Sequence, residues 1–461
     1  MCDIKLYSNG DNYKLYQGNM LNMLAVIEPN SIDAIVTDPP YELNFMGRDW
    51  DNSGIAFQKE TWEKCLKVLK PGGYLLSFGG SRTFHRIACA IEDAGFEIRD
   101  TIMYLYGTGF PKSMNIAKGV EAKLTTGSAN KQAFKDLSGE KVDRGNFGYA
   151  SMWYEQGGRP ADYNDIDAQR LGKLEPTTEE AKRWQGFGTA LKPAYEPIIV
   201  ARKPCEGSCI DNVLKYGVGG INIDECRVSH NEPVETMHRH TDKGNNTTLH
   251  TYGDSETDCI ASPNEQGRFP ANVILTYDDT DYKEVCGGMP YTEGAVRQPT
   301  GGKILDPGSG WNSNSMIDAT VRGFADSGSA ARYFYCAKAS KRDRDEGLPD
   351  GKHNIHPTVK NTMLMQYLVR LVTPKGGTIL DPFNGSGSTG KAAMYENRDR
   401  TARYKYIGIE LTSEYLPIAD ARIRFALGDN TPVEYSGLIS NKATPKSVNS
   451  SGQISLFDEN T

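Results

Sequence analysis

The sequence predicts an α/β fold built on a doubly wound sheet with both faces covered, and three observations carry that expectation. Short apolar runs rich in β-branched residues, such as Ile32-Asp33-Ala34-Ile35-Val36-Thr37, read as buried strands. Segments with apolar residues at helical spacing alternate with those runs, as a sheet wound on both faces requires. Near the C-terminal end, Gly377-Thr378-Ile379-Leu380-Asp381-Pro382-Phe383-Asn384-Gly385-Ser386-Gly387-Ser388-Thr389-Gly390 reads as a strand, a Gly-rich turn and a helix start.

Taken in order, Leu15-Tyr16-Gln17-Gly18-Asn19 precedes the Ile32 strand, which ends in Asp38-Pro39-Pro40-Tyr41. The two prolines stop the ladder, because each lacks an N–H. An acid, a stiff turn and an aromatic thus sit at a strand's carboxyl end, where open α/β sheets place ligands. A polar, Gly-punctuated loop, Phe45–Asp51, follows. Trp62, Cys65, Leu66 and Leu69 mark a helix that Lys70-Pro71-Gly72-Gly73 is expected to stop, with Tyr74–Phe78 as the next strand. Phe84, Ile87, Ala88 and Ile91 mark a further helix ended at Gly95, and a strand runs from Ile98 to Tyr106.

From about Pro111 to Gly351 the rhythm breaks into Gly, Asn, Ser, Asp and Lys with short aromatic islands. Loops that long are usually functional or disordered. Arg332–Lys338 returns to strand character, and Lys341-Arg342-Asp343-Arg344-Asp345 reads as a solvated face. His356-Pro357-Thr358-Val359-Lys360 is expected to open a helix with Met363, Leu364, Tyr367, Leu368 and Leu371 on its apolar side. Tyr404–Glu410 is a strand ending in an acid, and Glu410 stands where a carboxylate would accept from two ribose hydroxyls.

Composition narrows the class. A chain of 461 residues can bury a large core and hold two or three domains. No run approaches the roughly 20 apolar residues of a membrane span, and Met1–Lys5 does not open a signal peptide, so the cytoplasm is the expected location. The nine cysteines are scattered, which favours reduced thiols. A net charge of −7 does not advertise a nucleic-acid binder, but phosphates respond to a local basic surface rather than to the total. Cys205, Cys209, Cys226 and Cys259 match zinc-ligand spacing poorly, so no metal is expected. A phosphate-binding loop is disfavoured because no Gly-Lys-Ser/Thr follows the glycines.

These motifs resemble a known family. Asp38-Pro39-Pro40-Tyr41 looks like the DPPY motif of the DNA amino-methyltransferases, Asp381–Thr389 closely resembles their S-adenosylmethionine loop, and His356–Lys360 resembles their His-Pro-Thr-x-Lys motif. The DPPY element precedes the cofactor loop, an order that resembles the β class of bacterial and phage enzymes. The resemblance implies a Rossmann-like S-adenosylmethionine-dependent methyltransferase with permuted motif order and a large inserted target-recognition region. It divides the chain into a catalytic half (1–112), an insertion (113–189), a core strand (190–204), a recognition region (205–330), a cofactor half (331–428) and a tail (429–461).

The activity so implied is methylation of the N6 amino group of adenine in double-stranded DNA. The alternatives are cytosine-N4 methylation and a catalytically silent DNA-binding protein. Asp38, Pro39, Pro40 and Tyr41 would hold the flipped base. Asn19, Asp38, His356, Thr358, Lys360, Asp381, Phe383, Asn384, Gly385, Ser386, Gly387 and Glu410 would hold S-adenosylmethionine. Two departures from the family pattern stand out, Asn19 for the usual Asp and Asn361 for the usual Pro. Pro204-Cys205 raises the competing idea of a cytosine-C5 nucleophile, which would need the Gly-rich loop upstream. The tail ends Gln453-Ile454-Ser455-Leu456-Phe457, similar to the pentapeptide that docks bacterial proteins on the β sliding clamp. The clamp and a homodimer are therefore the candidate protein partners.

Overall fold

The structure is a computed structural model. It describes residues 4–43, 53–106, 113–128, 176–228, 267–277, 334–338 and 342–429, with four short strands between them. The Phe45–Asp51 loop, most of the insertion and recognition regions, and the Gln453–Phe457 motif lie outside the described residues.

Among the described residues, one mixed sheet of ten strands organises the chain, in the order β1-β2-β14-β13-β3-β4-β6-β5-β9-β12. These are β1 (Lys5–Gly10), β2 (Tyr13–Gln17), β3 (Ile32–Thr37), β4 (Leu69–Phe78), β5 (Glu97–Tyr106), β6 (Tyr195–Arg202), β9 (Val273–Tyr277), β12 (Tyr335–Lys338), β13 (Thr378–Asp381) and β14 (Lys405–Glu410). Two small ribbons pair β7 (Met237–Arg239) with β8 (Cys259–Ala261) and β10 (Tyr291–Thr292) with β11 (Gly328–Ser329). Eight sheet strands run one way; β1 and β6 oppose them.

Helices cover both faces, the Rossmann-like arrangement. One face packs α1 (Met20–Val26), α2 (Lys59–Val68) and α3 (Phe84–Asp93) around Trp62, Met23, Ile35 and Leu380. The other packs α7 (Thr362–Val372), α8 (Ser388–Arg400) and α9 (Leu416–Leu427) around Tyr367, Val36, Ile379 and Tyr406. Neighbours Ile35 and Val36 serve opposite faces, as strand alternation demands. Both are fully buried, which is why β3 reads as a continuous apolar run. Three shorter helices, α4 (Ile116–Thr126), α5 (Glu179–Lys182) and α6 (Cys209–Tyr216), belong to the middle of the chain.

The two halves of the sequence meet at β3 and β13, and side chains cross that seam. Thr37 Oγ1 donates to Asp381 Oδ1 at 2.7 Å, and the Thr378 N–H donates to Asp33 Oδ2 at 2.7 Å. From the seam, β3 leads through α2 to β4 on one side, whereas β13 leads through α8 to β14 on the other. This reversal is a topological switch point, where strands open a crevice at their carboxyl ends.

Several local expectations need correction. Lys70–Gly73 does not separate helix from strand; it forms a bulge within β4, between the pairs Ile32↔Leu69 and Ala34↔Tyr74. Gly72 has φ +78° there, and a Cβ on it would sit 2.2 Å from Asn212 Nδ2. His356–Lys360 is not the first turn of a helix, since α7 starts at Thr362 with Asn361 as its N-cap, accepting from the Leu364 N–H at 3.0 Å. The region 205–330 also supplies main-sheet strand β9.

Lys341–Asp345 is a solvated face only in part: Arg342 and Arg344 are exposed, whereas Asp343 turns inward. Asp343 accepts from the Thr362 N–H and Thr362 hydroxyl, and Oδ1 lies 2.8 Å from Lys391 Nζ. Arg344 Nη2 donates to the carbonyls of Asn354 and His356. The segment staples the approach to α7 onto α8.

Candidate active site

The carboxyl ends of β3, β4, β13 and β14 share one edge of the sheet. Because β6 is antiparallel, its amino end arrives at the same edge, bringing Glu196 beside residues 38–41. Sequence order hides this adjacency.

Asp38 follows β3 directly. Its Oδ2 accepts from Lys360 Nζ at 2.6 Å, while Oδ1 is buried and has no hydrogen-bond partner. A buried polar atom without a partner costs about 1–3 kcal/mol, so its survival needs a reason. Lys360 Nζ also lies 3.5 Å from Glu196 Oε2, 5.2 Å from the Tyr41 ring centre and 5.0 Å from that of Phe78. The Tyr41 hydroxyl donates to Glu196 Oε2 at 3.0 Å, and the Tyr41 carbonyl accepts from Thr83 Oγ1 at 2.8 Å. Tyr41 is thus held at both ends of its side chain and backbone, between Pro40 and the glycines after β4.

The electrostatics follow from burial and pairing. Burial pushes the Asp38 carboxyl up, Lys360 pulls it down, and Glu196 pushes it up again, leaving it raised. Burial alone would lower the Lys360 ammonium, but Asp38 and Glu196 outweigh it and hold the charge in place. Burial, then Asp38 and Glu196, keep the Tyr41 phenol protonated. The cluster is therefore one cation between two carboxylates, beneath an aromatic ring.

Across the seam lies the Gly-rich turn. Gly385 and Gly387 take φ of +52° and +74°. A Cβ on Gly385 would come within 2.8 Å of His356 Nε2, and one on Gly387 within 2.9 Å of the Ala419 backbone, so both positions require glycine. Glu410, at the end of β14, receives the Gly385 N–H at 2.6 Å on Oε2 and the Thr412 N–H at 2.8 Å on Oε1. Burial raises its carboxyl to about 7. Each oxygen keeps lone-pair capacity for a ligand hydroxyl.

The remaining residues on the cofactor side divide by position. Asp381 spends both oxygens on the frame, accepting from Thr37, Thr389 Oγ1 at 2.7 Å and the Phe383 N–H at 3.2 Å; burial pushes it to about 6. Asn384 accepts from the Tyr406 hydroxyl at 2.7 Å and is buried. Ser386 is buried against Arg422, whose Nη1 donates to its carbonyl at 2.8 Å and its hydroxyl at 3.1 Å. His356 packs edge-on to Tyr415, and its Nδ1 accepts the Thr358 N–H at 3.3 Å, which assigns its proton to Nε2. Burial and the cations Lys360, Arg344 and Arg422 push His356 down to about 3, so it is a neutral imidazole. Thr358 is exposed beside it. Asn19 lies beside the end of β14, where the Gly18 N–H bonds the Glu410 carbonyl, and its amide oxygen caps α1 by accepting from the Leu21 N–H at 2.9 Å.

Two residues of this site had no sequence signal of their own, Glu196 and Arg422. Arg422 is fully buried in α9, but Asp420 and Arg424 lie on the same helix, so nothing in the sequence singles it out. Cys205, by contrast, follows the carboxyl end of antiparallel β6 and so lies at the opposite edge of the sheet from Asp38. Burial raises its thiol, and neither property suits a nucleophile at this site. Among the described residues no group of three or more His, Cys, Asp or Glu could hold a metal ion, and no helix is long and apolar enough to cross a membrane.

Comparison with known proteins places these observations in context. A family model described as DNA methylase, of the N6/N4 type, matches residues 32–421. The Type II methyltransferase M2.DpnII of Streptococcus pneumoniae is 41% identical over 237 residues, covering 47% of this chain and 82% of that protein. M2.LlaDCHI of Lactococcus lactis subsp. cremoris is 24% identical over 239 residues, with the same 47% and 82% coverage. A match to M.HpaI of Haemophilus parainfluenzae is 34% identical over 109 residues but spans only 34% of that enzyme.

Proposed function

Because the chain belongs to the DNA methylase family of N6 and N4 amino-methyltransferases, we propose that it transfers a methyl group to the N6 amino group of adenine in double-stranded DNA. The observation that carries this reading is Asp38 Oδ1, a buried acceptor without a partner at the mouth of the switch-point crevice. The exocyclic amine of a nucleobase is a poor nucleophile, because its lone pair is delocalised into the ring. Asp38 Oδ1 and the Pro39 carbonyl accept its two N–H bonds and favour a more tetrahedral nitrogen. Tyr41 stacks on the flipped base, a contact worth about 1–3 kcal/mol in single-strand analogues.

S-adenosylmethionine is the cofactor, and it supplies a methyl group on a sulfonium centre. The residues present fit it. The Gly385–Gly387 turn leaves room for close approach, Glu410 offers lone pairs to two ribose hydroxyls, and neutral His356 with Thr358 and Lys360 borders the methionine end. Phe383, Asn384 and Ser386 shape the turn, and Asp381 holds it to β3. Asn19 lies next to Glu410 at the adenine end. With S-adenosylmethionine bound, Asp38 Oδ1 and the Pro39 carbonyl would hold the amine with its lone pair facing the methyl carbon, the sulfur would keep the electron pair of the bond it loses, and the proton given up by the nitrogen would pass through the Asp38 carboxylate to solvent. Positioning supplies most of the acceleration.

The choice of adenine rests on Asp rather than Ser at position 38, since cytosine-N4 enzymes often carry Ser there. The test is to incubate the protein with unmethylated DNA and S-adenosylmethionine and identify the modified nucleoside by mass spectrometry. N6-methyladenine is expected. N4-methylcytosine would overturn the base, and no modified base with cofactor bound would overturn the activity.

A further inference from the structure

We propose that Glu196 is a positioning residue that keeps Oδ1 of Asp38 open for the target amine, by drawing the Lys360 ammonium to one side of the Asp38 carboxylate and tethering the Tyr41 phenol. This inference rests on the methyltransferase reading and adds a residue to it.

An ammonium with three N–H donors beside a carboxylate gains by reaching both of its oxygens. Here Lys360 Nζ lies 2.6 Å from Oδ2 of Asp38, while Oδ1 has no partner. A second carboxylate stands opposite, with Glu196 Oε2 3.5 Å from Nζ and 3.0 Å from the Tyr41 hydroxyl. The cation is therefore shared, and the ring that stacks on the base is anchored by the group that shares it. Strand direction makes this arrangement: only an antiparallel β6 delivers its second residue to the carboxyl edge.

The groups facing this cluster are Lys360, Tyr41, Tyr104 and Tyr106 of β5, Asp381 at the end of β13, and His356. The tyrosines are raised by burial and neutral, and His356 is neutral above about 3. Asp381, near 6, is common to wild type and variants. Without Glu196 the ammonium acts on Asp38 alone, so the Asp38 carboxyl titrates at lower pH.

The experiment compares wild type with E196Q, which keeps shape and an acceptor, and E196A. Single-turnover methyl transfer should fall by roughly 100-fold in E196A, the loss expected from an ångström-scale misplacement, and by less in E196Q. The rate of methyl transfer should fall more than the affinity for S-adenosylmethionine, because Lys360 shifts only between the two oxygens of Asp38. At saturating S-adenosylmethionine the acid limb of the rate profile should move to lower pH in both variants, because a nearby negative charge that raises the Asp38 carboxyl is removed. A crystal structure of E196A should show Nζ within hydrogen-bond distance of both Asp38 oxygens. Unchanged rates and an unmoved acid limb would overturn the proposal, as would a crystal structure with Nζ still on Oδ2 alone. If wild type methylates no DNA, the functional reading fails, and the crystallographic comparison still decides the role of Glu196.

Discussion

At Asp38 the two carboxylate oxygens have different surroundings, one bonded to Lys360 and one left for a ligand. Asp38→Asn keeps the shape but loses the charge, and turns one end of the group into a donor. Cofactor binding, followed by calorimetry, should survive in D38N, while methyl transfer falls by roughly 100- to 1000-fold, the scale of losing one preorganised polar group. Equal loss of both would mean that Asp38 shapes the cofactor site instead. Glu410 offers a pH test. Burial holds its carboxyl near 7, above the ordinary value. The ionised form is the better acceptor for ribose hydroxyls, so cofactor affinity should fall as pH drops through about 7. In E410Q the affinity should be weak and flat across that window. Stability moves the other way: a raised carboxyl favours the folded, ligand-free protein below its unfolded value, and that contribution is lost as pH rises through about 7.

The helices and turns around the site depend on single polar residues. Asn361 stands where the family commonly has Pro, and the structure gives it the N-cap of α7. Asn361→Ala should lower stability by about 1 kcal/mol, the usual value of a cap, with little effect on methyl transfer. Arg422 joins α9 to the Gly385 turn through Ser386 and Ser388, and burial lowers its guanidinium to about 10. Arg422→Met should cost roughly 3 kcal/mol, as breaking buried charged networks does, and should weaken cofactor binding. Denaturant melts with and without cofactor separate the two effects. These elements also show what was legible in the sequence. The β3 strand with Asp38–Tyr41 and the turn at Gly385 carry their geometry locally, in β-branched runs, prolines and glycines. Within Lys341–Asp345 the inward turn of Asp343 is illegible because its partners, Lys391 and Arg422, arrive from helices much later in the chain. Glu196 falls within the segment 190–204 that reads as a core strand, yet nothing local says that the strand runs backwards between β4 and β5.

For the molecule as a whole, the β3–β13 seam joins residues hundreds of positions apart through Thr37–Asp381, Thr378–Asp33 and Lys360–Asp38. Neither half can complete the site alone. Urea unfolding followed by near-ultraviolet dichroism and by cofactor binding should therefore give coincident transitions; an early loss of binding with the β4–β6–β5 packing intact would show that the halves unfold separately.

The base of the excursion between β5 and β6 has a different implication. The Tyr106 N–H bonds the Ala194 carbonyl at 3.0 Å, so the chain leaves the sheet and re-enters it at one place, on the working edge. Closing a longer loop costs only about 0.6 kcal/mol for each doubling of its length. Such a port tolerates exchange: residues 107–193 could be replaced by a relative's segment, or by a tight hairpin, without disturbing strand register. Hairpin and grafted versions should both still bind S-adenosylmethionine and keep the chemistry, with the DNA sequence that is methylated unchanged, because the recognition region assigned to 205–330 is untouched. The scaffold would then behave as a socket for interchangeable inserts, its catalytic residues fixed in the rim.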